Sequence, residues 1–479
     1  MSIYSHKDYT ASASISRVDI TRYKVFNART AGIVLTLPTP VKTICKNTPV
    51  FTNATAGYIT VKSPSSSFIG GASSVIIPPY SSTTLHINYS NSAYYWVADS
   101  QLLRSDSLST SLTWSPTLTF TTATPTLSTS SYLSWVKNGV CYFSGYLATA
   151  DGGGATALTI TPPLRPNDIN ADIPIVAFAL VDTTYTDIQG YIDAKDATQA
   201  NRVIEFRNFA TLTDDKAAAI WFSGWYEVDG GGWSTFTETE VYGTSNWDNV
   251  TEVARHRDID GVGHFVIDLT TADAKGVTSS LTVHPPTSPP DVNTYYPFMG
   301  HSQCIGGTDV TLYKNMLMFL DSNNATEASR VAVSRAFGTC ANGKAATAQV
   351  SGFYEAYGWN AFTPVLTWTG TTPTMAALVG RYKLIDNICY FTVYGTSTDG
   401  NGCTALVISG LPIVPKYTGI ETPVNCVQLV DSTYSNPIGF VTTDEAAEAD
   451  RDEIQFKSLS TCTDAKTASI YIAGWYPVG

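Results

Sequence analysis

The sequence predicts an all-β protein: a small N-terminal β domain followed by three tandem, related β-sandwich domains of jelly-roll type. Three observations predict it: a composition suited to pleated sheet, short apolar runs punctuated by turn residues, and an internal repeat. Only 14% of the 479 residues are charged, while 12% are aromatic, with 27 Tyr, 19 Phe and 10 Trp. Tyr, Trp, Val and Thr suit a half-buried sheet surface, and a disordered chain lacks such an aromatic content. The net charge of −12 and the pI near 4.9 exclude the basic footprint of a nucleic-acid binder. The chain holds no apolar run long enough for a membrane helix. Its opening, MSIYSHKDYTASASISRVDI, has no apolar core behind a basic start, so it reads as a mature start made in a cytoplasm rather than a secretory signal.

Residues 1–101 form the first region. GIVLTLP, YITVKS, SVIIPP, TTLHIN and YYWVA are short alternating or apolar runs bounded by Pro, Ser and Gly, and they read as strands. A linker, QLLRSDSLSTSL, covers 101–112.

The rest of the chain is three copies of one unit, spanning 112–228, 236–357 and 362–479. Each contains an aromatic strand, an Asp/Gly-rich turn and a second strand ending at Pro. These blocks read NGVCYFSGYLATADGGGATALTITPP from Asn138, DGVGHFVIDLTTADAKGVTSSLTVHPP from Asp260, and DNICYFTVYGTSTDGNGCTALVISGLP from Asp386. Asp151, Asp273 and Asp399 share one place in the turn. The copies end alike: Lys216, Lys344 and Lys466 each precede Gly224, Gly352 and Gly474 by eight residues. An aromatic pair follows each Gly: Trp225-Tyr226, Phe353-Tyr354 and Trp475-Tyr476. Copies one and three also share an opening, WSPTLTF at Trp114 and FTPVLTW at Phe362, and the middle copy is the most diverged. Short linkers at 229–232 and 358–361 imply domains that pack on one another rather than float.

About eight short strands are expected per copy, as in a sandwich. The final strand of copy one places Ile220, Phe222, Gly224 and Tyr226 on one face and Trp221, Ser223 and Trp225 on the other. Both faces are apolar, whereas an antiparallel sheet commonly solvates one. A neighbouring domain or subunit must cover the second face. The copies could stack along a trimer axis or form a pseudo-threefold within one chain, and the spacing leaves both open. Helix is scarce; the best short candidate is 444–453, which reads equally as a loop.

FTPVLTWTG followed by GRYKLIDNICYFTVYGTSTDGNGCTALVISGLP resembles the β-rich domains of bacteriophage tail-fibre and other virion fibre proteins. The stretch from TRYKVFNARTAGIVLTLPTP to YYWVA is similar to the small β domains that begin such fibres. The resemblance covers most of the chain and rests on strand and turn patterns. It implies a non-enzymatic homotrimer in a virion, attached to other virion proteins through the N-terminal region and binding a host-surface glycan or protein through its distal copy. A capsid decoration or head fibre without a receptor role shares this architecture. A polysaccharide depolymerase is the reading from a different class.

The eight Cys include no C-x-x-C pair. Cys304–Cys340 and Cys426–Cys462 have the same 36-residue separation. Copy one has apolar residues there, near Val176 and at Leu212. The pairs read either as disulfides or as thiols packed like small hydrophobes. Cys141 and Cys389 read as strand packing.

No cofactor or metal is expected. His256, His264, His284 and His301 crowd into copy two, but no H-x-H pair places ligands on one strand face, and His264 stands where Tyr142 and Tyr390 stand. Asp182 and Asp431 occupy equivalent LVDTTY and LVDSTY segments, but no second acid recurs as a glycosidase partner, so turn Asp is the expectation. Asp258-Ile259-Asp260-Gly261 lacks the distal Glu of a calcium loop and reads as a hairpin turn. Tyr185 and Tyr434, in matching loops, are the weak receptor-binding candidates, with packing against a neighbour as the alternative.

Overall fold

The computed structural model describes residues 6–99 and 114–478 apart from short segments, the longest being 63–73, 276–280, 306–310 and 335–339. The expected linkers at 101–112 and 229–232, together with Cys45, Asn138 and Asp386, lie outside the described residues. The chain divides into two compact units: 1–112, with which 135–140 and 229–232 group, and the remainder.

The first unit is a short stack of parallel rungs. His6–Tyr9, Val25–Ala28 and Val50–Asn53 pair in parallel in one sheet; Ala13–Ser14, Val34–Thr36 and Ile59–Lys62 do so in another. Antiparallel strands Ser74–Ile77, Ser82–Ser90 and Ala93–Asp99 extend the two sheets. In-register side chains stack between rungs and make the core: Phe26 lies on Phe51 with ring centroids 5.1 Å apart, and Leu35 is the register partner of Val61. Helix Arg17–Arg22 joins the first two rungs. Its start is set by Ser16, whose Oγ accepts from the Asp19 N–H at 3.1 Å while the Asp19 carboxylate accepts from the Ser16 N–H at 3.0 Å. It is the one α-helix among the described residues, and it is far too short to cross a membrane.

In the second unit each copy builds its own antiparallel sheet, which folds over into a sandwich. In copy one the strand Asp172–Val181 belongs to both layers. Its first half pairs with Gln189–Asp193 and its second half with Ala218–Glu227. In copy three Thr422–Val430 likewise pairs with Ile438–Val441 and then with Ala468–Pro477. In copy two Tyr295–Ile305 pairs with Thr311–Asp321 along its length and with Ala346–Glu355 over its second half. The sandwich interior of copy one is aromatic: Phe143 and Phe222 are 6.1 Å apart, with Trp114 edge-on to both. The recurrent Gly224, Gly352 and Gly474 lie on this inner face. A Cβ there would come within 2.6 Å of Ile175, 2.3 Å of Phe298 and 2.5 Å of Val424 respectively, so the copies keep glycine for space.

The recurrent Asp is a turn lock. One carboxylate oxygen of Asp151 accepts the N–H groups of Gly153 (2.7 Å) and Asp215 (3.0 Å). Asp273 takes those of Lys275 and Gly343, and Asp399 those of Asn401 and Ala465. Each Asp thus ties its own turn to the loop before the final strand. The recurrent Lys contributes its backbone carbonyl to the same knot, accepting from Gly152, Ala274 and Gly400.

The segment 358–361, read from the sequence as a short linker, is packed: Trp359 is buried and donates its indole N–H to the Gly261 carbonyl at 2.9 Å, and the third sheet already begins with Asn360–Phe362. The described residues of 444–453 are loop, not helix.

Candidate functional site on the pseudo-threefold axis

The three copies pack around one another within the second unit through equivalent residues in cyclic order. Tyr142, His264 and Tyr390, one from each copy, converge with ring centroids 5.6–6.1 Å apart. Around them lies a second ring. Tyr142 meets Trp475 of copy three at 5.5 Å, His264 meets Trp225 of copy one at 5.0 Å, and Tyr390 meets Phe353 of copy two at 5.3 Å. The same rotation relates all three contacts, which defines the axis.

Hydrogen bonding fixes the protons at the centre. The Tyr390 hydroxyl donates to the Tyr142 hydroxyl, leaving Tyr142 to donate to His264 Nε2 at 3.1 Å. His264 Nδ1 then carries the hydrogen and donates to the Val262 carbonyl at 3.2 Å. This relay needs a neutral imidazole, and burial holds the His264 pKa down at about 3. Beside the rings a cavity of about 50 Å³ is walled by Pro174, Pro297 and Pro423 and by the Ser223 and Ser351 segments. Ser223 donates to the Pro423 carbonyl at 2.8 Å and Ser351 to the Pro174 carbonyl at 2.7 Å; copy three has Ala473 at that place.

Away from the axis the three seams differ. Register pairs Pro174 with Tyr191, Pro297 with Phe319 and Pro423 with Phe440, so these three aromatics are equivalent. Between copies one and three, Phe440 receives Phe178 at 4.8 Å and Trp221 at 5.7 Å. Between copies three and two, Phe319 receives Tyr471 at 5.0 Å, and Tyr295 receives Tyr394 at 4.8 Å. Between copies two and one, the positions of Trp221 and Tyr146 are held by Gln349 and Asp268, and the seam is ionic. Asp268 Oδ2 accepts the Asp172 N–H at 2.8 Å and Lys195 Nζ at 2.6 Å. Asp172 Oδ2 takes Lys195 and Arg207 at 3.1 Å and Gln349 Nε2 at 3.5 Å. Both carboxylates are buried. Burial pushes the Asp268 carboxyl upward against the pull of Lys195. It also lowers the His301 imidazole to about 3, with Arg207 acting in the same direction.

Two buried ion pairs sit where the chain passes from copy to copy. Glu227 binds Arg255 at 3.0 Å and Glu355 binds Arg381 at 2.6 Å. Copy three ends with Pro477 at the equivalent place.

Tyr434 lies 6.1 Å from Phe319 of copy two, and Tyr185 lies 6.3 Å from Trp221; both flank the aromatic seams. Asp182 and Asp431 are exposed turn residues with φ of 58° and 53°, each near its own Lys, Lys216 at 3.7 Å and Lys466 at 3.4 Å. Asp260 and Gly261 make a two-residue hairpin with positive φ at both, and Asp258 accepts the Gly261 N–H at 2.9 Å. His256 packs edge-on to Phe236 at 5.5 Å, half-buried His284 lies outside the strands, and His301 is buried in the ionic seam. Among the described residues the metal-capable cluster is exposed Asp151, Asp214 and Asp215, where Asp151 already serves the turn lock.

Cys304 and Cys340 form a disulfide. Cys426–Cys462 is corrected: both are free thiols. Register places Pro423 opposite the role of Pro297, so Cys426 matches Gly300 rather than Cys304 and points into its own core beside Gly439. The thiol next to Cys462 is Cys403. The ionic seam was missed from sequence, although polar Asp268, His301 and Gln349 in an otherwise apolar strand pattern were its signal.

No protein-family model, no curated protein and no solved structure gives a significant match to this chain.

Proposed function

We propose that the chain is a non-enzymatic structural component of a bacteriophage virion, a tail fibre whose N-terminal region attaches to the particle and whose three-copy body engages the host surface. The observation that carries this reading is the final strand of each copy, covered on its inner face by its own sandwich and on its outer face by a sister copy. In copy one all ten residues of Ala218–Glu227 are buried. Contacts of the kind an obligate trimer would make between subunits are made here within one chain, which supports a single-chain body in place of the homotrimer that the resemblance implies. Asp182 and Asp431 are exposed turn residues paired with their own Lys, and Asp172 and Asp268 are held by Lys195 in the ionic seam, which favours structure over catalysis for these acids. A capsid decoration is the second reading, favoured by copies that surround one axis instead of following one another along a rod.

Antibody labelling of whole particles tests the assignment, with tail labelling and competition of phage adsorption by purified protein expected. Head labelling without competition supports the decoration. Release of sugar from a capsule overturns both. Light scattering is expected to give the 51.5 kDa of one chain, and a threefold mass overturns the single-chain body in favour of a homotrimer.

A further inference from the structure

Cys403 and Cys462 in copy three are both fully buried and pack together, with the Cys462 N–H donating to the Cys403 carbonyl at 2.8 Å. Copy one holds the same backbone bond, Leu212 N–H to the Ala155 carbonyl at 2.9 Å, between an Ala and a Leu. The Asp lock fixes both sites: Gly152 and Gly400 are equivalent turn residues, followed three positions later by Ala155 and Cys403. An apolar contact in one copy has therefore become a contact of two thiols in another. The two thiols lie in one buried cluster with Ala468, and Gln428 Nε2 donates toward Cys462 Sγ at 3.9 Å. The neighbouring thiol and the Gln428 amide lower the Cys462 pKa, while the Cys403 thiol is raised by Cys462 beside it and by burial. The neighbours Thr461 and Thr463 are exposed, so the loop lies at the surface.

We propose that Cys403 and Cys462 are an oxidation site, which closes to a disulfide when the protein meets a small-molecule disulfide such as oxidised glutathione. The Cys462 thiolate attacks one sulfur of the oxidant and expels the first thiolate. The Cys403 thiolate then attacks Cys462 Sγ and expels the second. The two thiol protons pass to the two expelled thiolates, and the two electrons reduce the oxidant to two thiols. The product ties the turn after Ile388–Asp399 to the loop before the last strand, doing covalently what Cys304–Cys340 does for the matching loop of copy two.

The test is peptide mapping of the full chain after exposure to oxidised glutathione, with blocking of residual thiols under denaturing conditions. The expected result is a peptide linked through Cys403 and Cys462, with Cys141, Cys389 and Cys426 fully blocked. Blocking of both Cys403 and Cys462, or a link from Cys462 to Cys426, overturns the proposal. A second variant guards against misfolding. Cys403→Ala with Cys462→Leu installs the copy-one pair and is expected to fold. It should lose a glutathione-dependent rise in melting temperature of about 5–10 °C. An unchanged rise in that variant also overturns the assignment.

Discussion

The seam between copies one and two and the two seams made by copy three solve one packing problem with opposite chemistry. Equivalent positions carry Tyr146 and Trp221 in copy one, Tyr394 and Tyr471 in copy three, but Asp268 and Gln349 in copy two. The receiving side changes in step, from Phe440 and Phe319 to Tyr191 flanked by Asp172, Lys195 and Arg207. A homotrimer must use one interface three times. Three copies in one chain are free to diverge, and the ionic seam is such a divergence: it matches one particular surface of copy two to one particular surface of copy one. Pressing Tyr394 and Tyr471 against Asp172 would strip water from charges and return no partner.

The ionic seam is therefore expected to be the less tolerant. Lys195→Met leaves buried Asp268 without its cation, since Arg207 reaches only Asp172. The expected cost is about 3–5 kcal/mol, toward the lower figure because the Lys195 side chain is 34% exposed. Phe319→Leu at the equivalent surface of the aromatic seam keeps most of the volume and should cost under about 1.5 kcal/mol. Denaturant melts of both variants decide it, and equal losses would remove the distinction between the seams.

Acid should separate the seams next. His264 and His301 are fully buried and neutral, each with a folded pKa near 3 against an ordinary 6.5. Folding thus favours their unprotonated forms. Their contribution is complete above pH 6.5 and is lost as pH falls toward 3, by about 2 kcal/mol for each at pH 5. The charges facing His264 are Arg257 and, through Tyr390, Asp260; those facing His301 are Arg207 and the Asp172–Asp268–Lys195 cluster. Asp268, raised by burial, works oppositely, gaining stability as pH falls through its raised value. Comparing variants isolates the histidines. His264→Tyr restores the axial residue of the other copies, and His301→Val supplies what Val427 supplies in copy three. Each is expected to remove about half of the acid sensitivity between pH 7 and 5.

Much of this was legible in the sequence. The repeat gave the three sandwiches, and the doubly apolar final strand demanded a cover for its outer face. What covers it was not legible, because period-two alternation reports that a face is buried and not which chain buries it. The parallel rungs of the first unit were hidden similarly: short apolar runs such as those around Leu35 and Val61 specify strands, while parallel register emerges only when successive rungs stack. The cysteine pairing failed for a physical reason as well. Equal separations matched Cys426 to Cys304, but copies two and three differ in length between the Pro and the loop, which moves Cys426 four residues along its strand into the sandwich interior.

The smallest expected effect cuts across the two chemistries. Ser223 seals the aromatic seam to copy three and Ser351 the ionic seam to copy one, each by donating to a proline carbonyl near the axis. The third seam lacks this bond because Ala473 replaces the serine; there Thr392 donates to the Tyr295 carbonyl at 2.9 Å instead. Truncation to Ala leaves a buried carbonyl without that donor and should cost about 1 kcal/mol in either seam. If the axial bonds act locally, Ser223→Ala and Ser351→Ala lose the same amount despite their different surroundings. A markedly larger loss for Ser351→Ala would mean that the axis and the ionic cluster are coupled, and a double variant with Lys195→Met would then depart from additivity.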